Sequence, residues 1–289
     1  MKTIEIFGEN IETGTGHSSK GNQMKWEQNG WWYKADAFGD EGLAETVISR
    51  LLRVSSLHAA PEHLVEYEPV NIKYKGETYR GCRSRNFRAK KEELVPLERL
   101  YRSYTGFGLA KQLAHIYDVK ERIRYTEELV RNVTGMEDFG IYLAKLLEID
   151  AFFLNEDRHT NNIALLYDTV TKKYRLCPFF DMGLSLFSDT REEYPFGKTF
   201  QECREKICAK PFSRDFDEQL DAANELYGCH LKFEFSANRI ADVLKEVRFE
   251  CDLQENAGET EWGYTEQEFK RVEEVLRYQA GKYKYMFAS

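Results

Sequence analysis

Asp157 and Asn162 stand five residues apart in the polar stretch Asn155-Glu-Asp-Arg-His-Thr-Asn-Asn-Ile163, and Asp181 opens an Asp-Met-Gly triplet further along. Phosphoryl transfer depends on positioning and charge neutralisation more than on covalent chemistry. A carboxylate that orients an acceptor hydroxyl, with an amide oxygen and a second carboxylate on Mg²⁺, is therefore a sufficient set. Mg²⁺ takes hard oxygen ligands, usually one or two carboxylates, and fills its octahedron with phosphates and water. An Asp and an Asn at this spacing would on their own be an ordinary polar turn. Asp181, arriving directly after a hairpin, shifts the reading toward phosphate chemistry.

These residues need a scaffold, and the hydrophobic pattern supplies one. Phe139, Tyr142, Leu143, Leu146, Leu147, Phe153 and Leu154 share one helical face, which Ile149 and Phe152 widen into a buried helix running straight into the polar stretch. A hairpin is predicted for Ile163 to Tyr167 and Tyr174 to Cys177, around a turn from Asp168 to Lys173. Nearer the start, Thr3 to Phe7 reads as a strand. Gln23 to Trp26 and Trp31 to Ala35 flank an Asn29-Gly30 turn, a strong two-residue hairpin signal. Leu43, Val47, Leu51 and Val54 form the stripe of an amphipathic helix over Asp40 to Arg53. Val65 to Val70 and Tyr79 to Arg83 follow as strands about a Lys75-Gly76 turn. From Gly108 onward helical periodicity dominates, with further helices near Asp215 to Leu226, Ser236 to Val247 and Thr265 to Tyr285.

Composition excludes several classes. The chain has 289 residues, 42% hydrophobic and 31% charged, enough for one large domain or two lobes with a core that needs no staples. A net charge of -8 opposes nonspecific attraction to nucleic acid or anionic lipid. The local basic run Arg80, Arg83, Arg85, Arg88, Lys90 and Lys91 reads as a solvated strand end. The cysteines at 82, 177, 203, 208, 229 and 251 contain no CxxC pair, which argues against structural zinc and fits a reducing compartment. The opening MKTIEIFGENIE has no apolar signal region, and no run approaches the ~20 apolar residues of a membrane span. A cytoplasmic protein is expected.

DRHTNNI followed by CPFFDMG resembles the HipA-like serine/threonine kinases and, more distantly, the phosphoinositide 3/4-kinases, whose catalytic loops carry DRHxxN. The resemblance implies an α+β, two-lobed protein-kinase-like fold: a small antiparallel sheet with one helix over residues 1-87, and a mainly helical lobe over 88-289, hinged near Cys82 to Phe87. It implies ATP and Mg²⁺ as cofactors. The family's catalytic Asp falls on Asp157, its metal-binding Asn on Asn162 and its second metal-binding Asp on Asp181. The nucleotide lysine falls on Lys34 in Trp31-Trp-Tyr-Lys-Ala35, with Glu45 as its helix partner and Glu41, one turn earlier, as the competing choice. Thr13 to Gly21, with Gly14, Gly16, Ser18 and Ser19, would cover the phosphates, since small residues let backbone amides approach an anion. Ser18 and Ser19 are also candidate autophosphorylation sites. This loop is not a Walker A motif and lacks the usual third glycine unless Gly21 serves.

Around the motif, His159 and Arg158 are expected to brace the loop, and the Phe179-Phe180 pair to pack beneath Asp181. The implied activity is transfer of a γ-phosphoryl group to a protein Ser or Thr, with a regulatory or antitoxin partner as a further implication and no direct nucleic-acid contact expected. Specificity is expected in residues 184 to 205 and the C-terminal helices. Three rival readings stay open: a lipid or small-molecule kinase, a pseudokinase-type binding module, and a hydrolase metal site on Asp157, His159 and Asp181. Against the last, the remaining histidines are scattered.

Overall fold

The computed structural model describes residues 1–9, 23–59, 64–252 and 263–288. Its first part is a sheet of five strands: β1 (Lys2–Glu5), β2 (Lys25–Gln28), β3 (Trp31–Ala35), β4 (Tyr67–Tyr74) and β5 (Glu77–Arg85), in the order β1-β4-β5-β3-β2. The β2–β3 and β4–β5 hairpins turn at Asn29-Gly30 and Lys75-Gly76, all four residues having positive φ as such tight turns demand. The sheet corrects one expectation: it is mixed rather than antiparallel, because β1 pairs parallel with β4, Lys2 opposite Val70 through Glu5 opposite Lys73. The β2–β3 hairpin and a helix intervene between these strands, and a long crossover of that kind is what lets two strands run parallel.

That helix, α1 (Glu41–Arg53), is buried along nearly its whole length. Gly42 allows its first turn to touch the sheet backbone: a Cβ there would lie 2.6 Å from the carbonyl carbon of Gly81 on β5. Glu41 is the acid of that first turn, and its carboxylate accepts the amides of Ala37, Phe38 and Gly39 at 2.8–2.9 Å, which fixes the chain's entry into the helix. Asp36 accepts the Gly42 amide at 2.7 Å and the Tyr264 hydroxyl at 2.9 Å. Arg80 reaches Asp40 at 3.2 Å and Glu268 at 2.8 Å.

Beyond β5 come β6 (Glu92–Pro96), α2 (Leu97–Thr105), α3 (Leu109–Ala114), α4 (Val119–Thr134), α5 (Phe139–Phe153), β7 (Ala164–Asp168), β8 (Tyr174–Leu176), α6 (Phe200–Lys206), α7 (Phe216–Tyr227), α8 (Ile240–Asp252) and α9 (Glu266–Lys282). The expected β7–β8 hairpin forms, and β6 joins its other edge to make a three-stranded sheet. Helix α5 is the hub. Thirteen of its fifteen residues are buried, and it packs against α4, α7 and α9. The apolar face of α1 merges into the same core through Leu43, Val47, Leu51 and Leu52, whereas Trp26, Tyr33, Val70 and Ile72 form a separate small core on the other side of the five-stranded sheet. No helix among the described residues is long and apolar enough to cross a membrane.

Candidate active site

Helix α5 ends at Leu154, which adopts a left-handed φ of 55° and turns the chain sharply into the DRH loop. Arg158 organises that loop. Its guanidinium is fully buried and donates to both oxygens of Asp150 on α5 at 2.8 and 3.0 Å, to the Asn162 carbonyl at 2.8 Å and to the Phe180 carbonyl at 3.0 Å. One planar cation thus ties the end of the helix, the Asp157–Asn162 loop and the residue preceding Asp181 into a single unit, a task suited to the rigid fork of arginine. Within the loop, the Asp157 carbonyl accepts the His159 amide at 2.8 Å and the Asn162 side-chain amide at 2.9 Å. The Asp157 carboxylate lies 3.4 Å from Asn162 Nδ2, 3.6 Å from His159 Nε2 and 3.4 Å from Lys210 Nζ.

The second half of the site comes from the five-stranded sheet. Lys34 Nζ lies 2.7 Å from Glu45 Oε1 and 2.8 Å from Asp181 Oδ1, with Tyr67 beneath the ammonium. Glu45 also accepts the Met182 amide at 3.1 Å through its other oxygen, so helix α1, strand β3 and the Asp-Met-Gly segment meet at one carboxylate. Of the two competing acids, Glu45 makes the lysine contact, while Glu41 is committed to the three amides before α1. Burial alone would lower the Lys34 pKa, yet Asp181 and Glu45 hold it well above the ordinary lysine value. Burial alone would likewise raise Asp181, but Lys25 and Lys34 beside it keep its carboxyl well below the usual range, so it is ionised at neutral pH.

Asp181 itself has a φ of 60°, an uncommon backbone for a residue with a Cβ and a form of strain that concentrates at functional sites. The contacts with Lys34 and Lys25 are made at its Oδ1. Asn162 spends its amide nitrogen on Asp157, and its amide oxygen accepts no hydrogen bond from the described residues. A carboxylate oxygen and an amide oxygen are the hard donors Mg²⁺ prefers. No group of three or more His, Cys, Asp or Glu side chains among the described residues could hold a metal, so a cation here would draw its remaining ligands from phosphate and water. The same finding gives no support to a hydrolase metal site.

Neither ring nitrogen of His159 has a hydrogen-bond partner among the described residues, so the expected bracing by its side chain is absent, and Arg158 holds the loop instead. Phe179 is core, stacked on Tyr142 at 4.9 Å, but Phe180 is only part-buried and leans toward Phe87 at 5.8 Å. Gly14, Gly16, Ser18 and Ser19 lie outside the described residues.

Two cations of the site escape the sequence motifs. Lys25 sits directly opposite Lys34 across the β2–β3 pair, 3.8 Å from Asp181. The Asn29-Gly30 turn dictates that register, so the pairing is legible in the sequence. Lys210 carries no such signal.

No protein-family model matches the chain, and no curated protein matches its sequence. Among solved structures, the crystal structure of a Helicobacter pylori proinflammatory kinase, CtkA, superposes with a TM-score of 0.59 at 16% identity, covering 97% of this chain and 94% of that one. A HipA–HipB–operator DNA complex of the Shewanella oneidensis toxin–antitoxin system matches with a TM-score of 0.43 at 11% identity, over 89% of this chain and 59% of that one. The first likeness shows a shared fold, that of a solved kinase. The second, at its lower score, adds nothing to it.

Proposed function

We propose that this chain is an ATP- and Mg²⁺-dependent serine/threonine protein kinase of the HipA-like kind, built as two lobes over residues 1-87 and 88-289 with the nucleotide between them. The observation that carries the reading is the meeting of Lys34, Glu45 and Asp181 at 2.7–2.8 Å beside a loop that Arg158 fastens to the same segment. A lysine gripped by two carboxylates has a fixed rotamer and can be handed to a phosphate without a large reorganisation. Shared fold with a solved kinase supports the same reading.

In this mechanism Lys34 holds the nucleotide phosphates and Glu45 holds Lys34. Asn162 and Asp181 supply the protein's oxygens to Mg²⁺, which neutralises charge on the phosphates when bound. Asp157 orients the acceptor hydroxyl and takes its proton as the oxygen attacks. Ser18 and Ser19 are the candidate sites of autophosphorylation, on a loop whose Gly14 and Gly16 would approach the phosphates. The protein would act in the cytoplasm on a protein substrate, with a regulatory or antitoxin-like protein as its partner class.

The test is incubation with γ-labelled ATP, Mg²⁺ and host extract, followed by separation of protein from lipid and by phosphosite mapping. Label on Ser or Thr of a protein is the expected result. Label confined to lipid would replace the reading with that of a lipid kinase, and no transfer above that of Asp157→Ala would leave a binding module.

A further inference from the structure

We infer that Tyr264, in the segment leading into α9, is a positioning residue for the Lys34–Glu45 contact and acts on it through Asp36; its catalytic consequence rests on the kinase reading. Lys34 and Glu45 come from different elements, β3 and α1, so their 2.7 Å contact requires a fixed separation between the end of the strand and the start of the helix. Asp36 sets that separation. It lies two residues beyond Lys34, and its own amide donates to the Arg80 carbonyl on β5 at 2.8 Å. Its Oδ1 accepts the amide of Gly42, three residues before Glu45, at 2.7 Å. Chain and hydrogen bonds thus close a ring, from Lys34 to Asp36, across to Gly42, along α1 to Glu45 and back to Lys34.

The carboxylate torsion of an aspartate is broad, so the ring needs a second hold on Asp36. Tyr264 supplies it: its hydroxyl donates to Oδ2 at 2.9 Å, which commits each oxygen of Asp36 to its own donor. Arg80 Nε, at 4.0 Å from the same oxygen, is beyond hydrogen-bond reach. The tyrosine is seated for this task. It is buried, the Arg80 guanidinium lies over its ring at 4.7 Å, and a Cβ on Gly42 would fall 2.6 Å from the hydroxyl oxygen. Only a glycine in the first turn of α1 admits that oxygen.

Helix α9 holds Tyr264 from the other side. Thr265 and Glu268 form the capping box that starts the helix, and Glu268 also pairs with Arg80 at 2.8 Å. Near its far end the buried Gln279 donates to the Ala151 carbonyl at 2.7 Å on α5, the helix that runs into the DRH loop. One helix therefore braces α1, which carries Glu45, against α5, which delivers Asp157. Without the Tyr264 hydroxyl the Asp36 carboxylate is free to turn and the first turn of α1 loses its tie to the end of β3. Glu45 then no longer holds Lys34 in a single rotamer, and the ammonium must be reordered before it can meet a phosphate.

The test uses the full chain with Tyr264→Phe, which keeps the ring and deletes one oxygen, and with Ile123→Val on α4 as a control that loosens the core away from this network. Nitrogen-15 labelling of lysine reports the Lys34 ammonium by NMR, its signal assigned by its loss in Lys34→Met, and transfer from γ-labelled ATP gives kcat/KM. Tyr264→Phe should shift or broaden the Lys34 signal and lower kcat/KM about tenfold, whereas Ile123→Val should leave the signal in place and kcat/KM within about twofold of the parent. In the Lys34→Met background Tyr264→Phe should change kcat/KM by less than about twofold, because a residue that acts through Lys34 has nothing left to position. An unmoved Lys34 signal in Tyr264→Phe overturns the inference, as does an equal loss of kcat/KM in the Lys34→Met background or in Ile123→Val. If the parent transfers no phosphate the kinase reading falls, while the Lys34 signal still decides whether Tyr264 holds the contact. Normal transfer by the parent with an unmoved signal in Tyr264→Phe removes the inference alone.

Discussion

Replacing Glu45 with Gln and Lys34 with Met, singly and together, probes the contact that joins the sheet, helix α1 and the Asp-Met-Gly segment. The pair is separated by 2.7 Å, with side-chain exposures of 11% for Lys34 and 2% for Glu45. At that distance and an effective dielectric near 20 the gross attraction is about 6 kcal/mol, most of it offset by the loss of hydration of both groups. Removing one side alone strands the other. Lys34→Met leaves a buried carboxylate whose remaining hydrogen bond is the Met182 amide, and should cost about 3–5 kcal/mol. Glu45→Gln leaves Lys34 with Asp181 at 2.8 Å and loses one charge-assisted bond, costing about 1.5–3 kcal/mol. The double variant removes both charges, so its cost should fall short of the sum by about 2 kcal/mol. Urea denaturation of the four proteins at pH 7, in low and in high salt, measures this cycle. A coupling below about 0.5 kcal/mol, or one abolished by about 1 M salt as for an exposed pair, would refute the buried geometry.

Stability should also depend on pH through the carboxyls at the start of α1. Burial raises Asp36 to about 7, with Glu41 adding to the effect, and burial raises Asp40 to about 9, with Glu268 adding. The folded chain thus keeps protons the unfolded chain has lost, so this stabilisation is complete below about pH 4 and disappears as pH rises through 7 and 9. Asp40→Asn, which stays neutral, should flatten the fall in thermal midpoint between pH 5 and 9 and exceed the parent's stability at pH 9; a parallel curve would contradict the assignment. Lys25→Ala should weaken MgATP binding about tenfold by calorimetry, because it removes one of the two ammonium groups that stand opposite each other on one sheet face beside Asp181. Arg158→Lys should destabilise by about 2–4 kcal/mol in urea, since one ammonium cannot satisfy Asp150 and two carbonyls at once. A near-neutral Arg158→Lys would show that the loop is held some other way.

Local signals carry much of this structure. The Asn29-Gly30 and Lys75-Gly76 turns specify both hairpins, and the all-round apolar pattern of 139–154 announces a buried helix. Asp157, Asn162 and Asp181 are visible because their motifs are compact. Features that depend on distant partners are not. The parallel pairing of β1 with β4 joins segments separated by a hairpin and a helix, and β6 hides in Glu-Glu-Leu-Val-Pro over 92–96, too short and without alternation, whose place is set by β7 rather than by its own pattern. The choice of Glu45 over Glu41 turns on the three amides that occupy Glu41. Lys210 lies 53 residues from Asp157, and no local pattern links the two.

The most direct test of the kinase reading is single-turnover transfer from γ-labelled ATP in Mg²⁺ by the parent chain and by Asp157→Ala, Asn162→Ala and Asp181→Ala, with each variant's fold checked by circular dichroism. Measurable transfer by the parent and a fall of about 100-fold or more in every folded variant is the predicted result. Equal transfer by the parent and the folded Asp157→Ala and Asp181→Ala variants would contradict it.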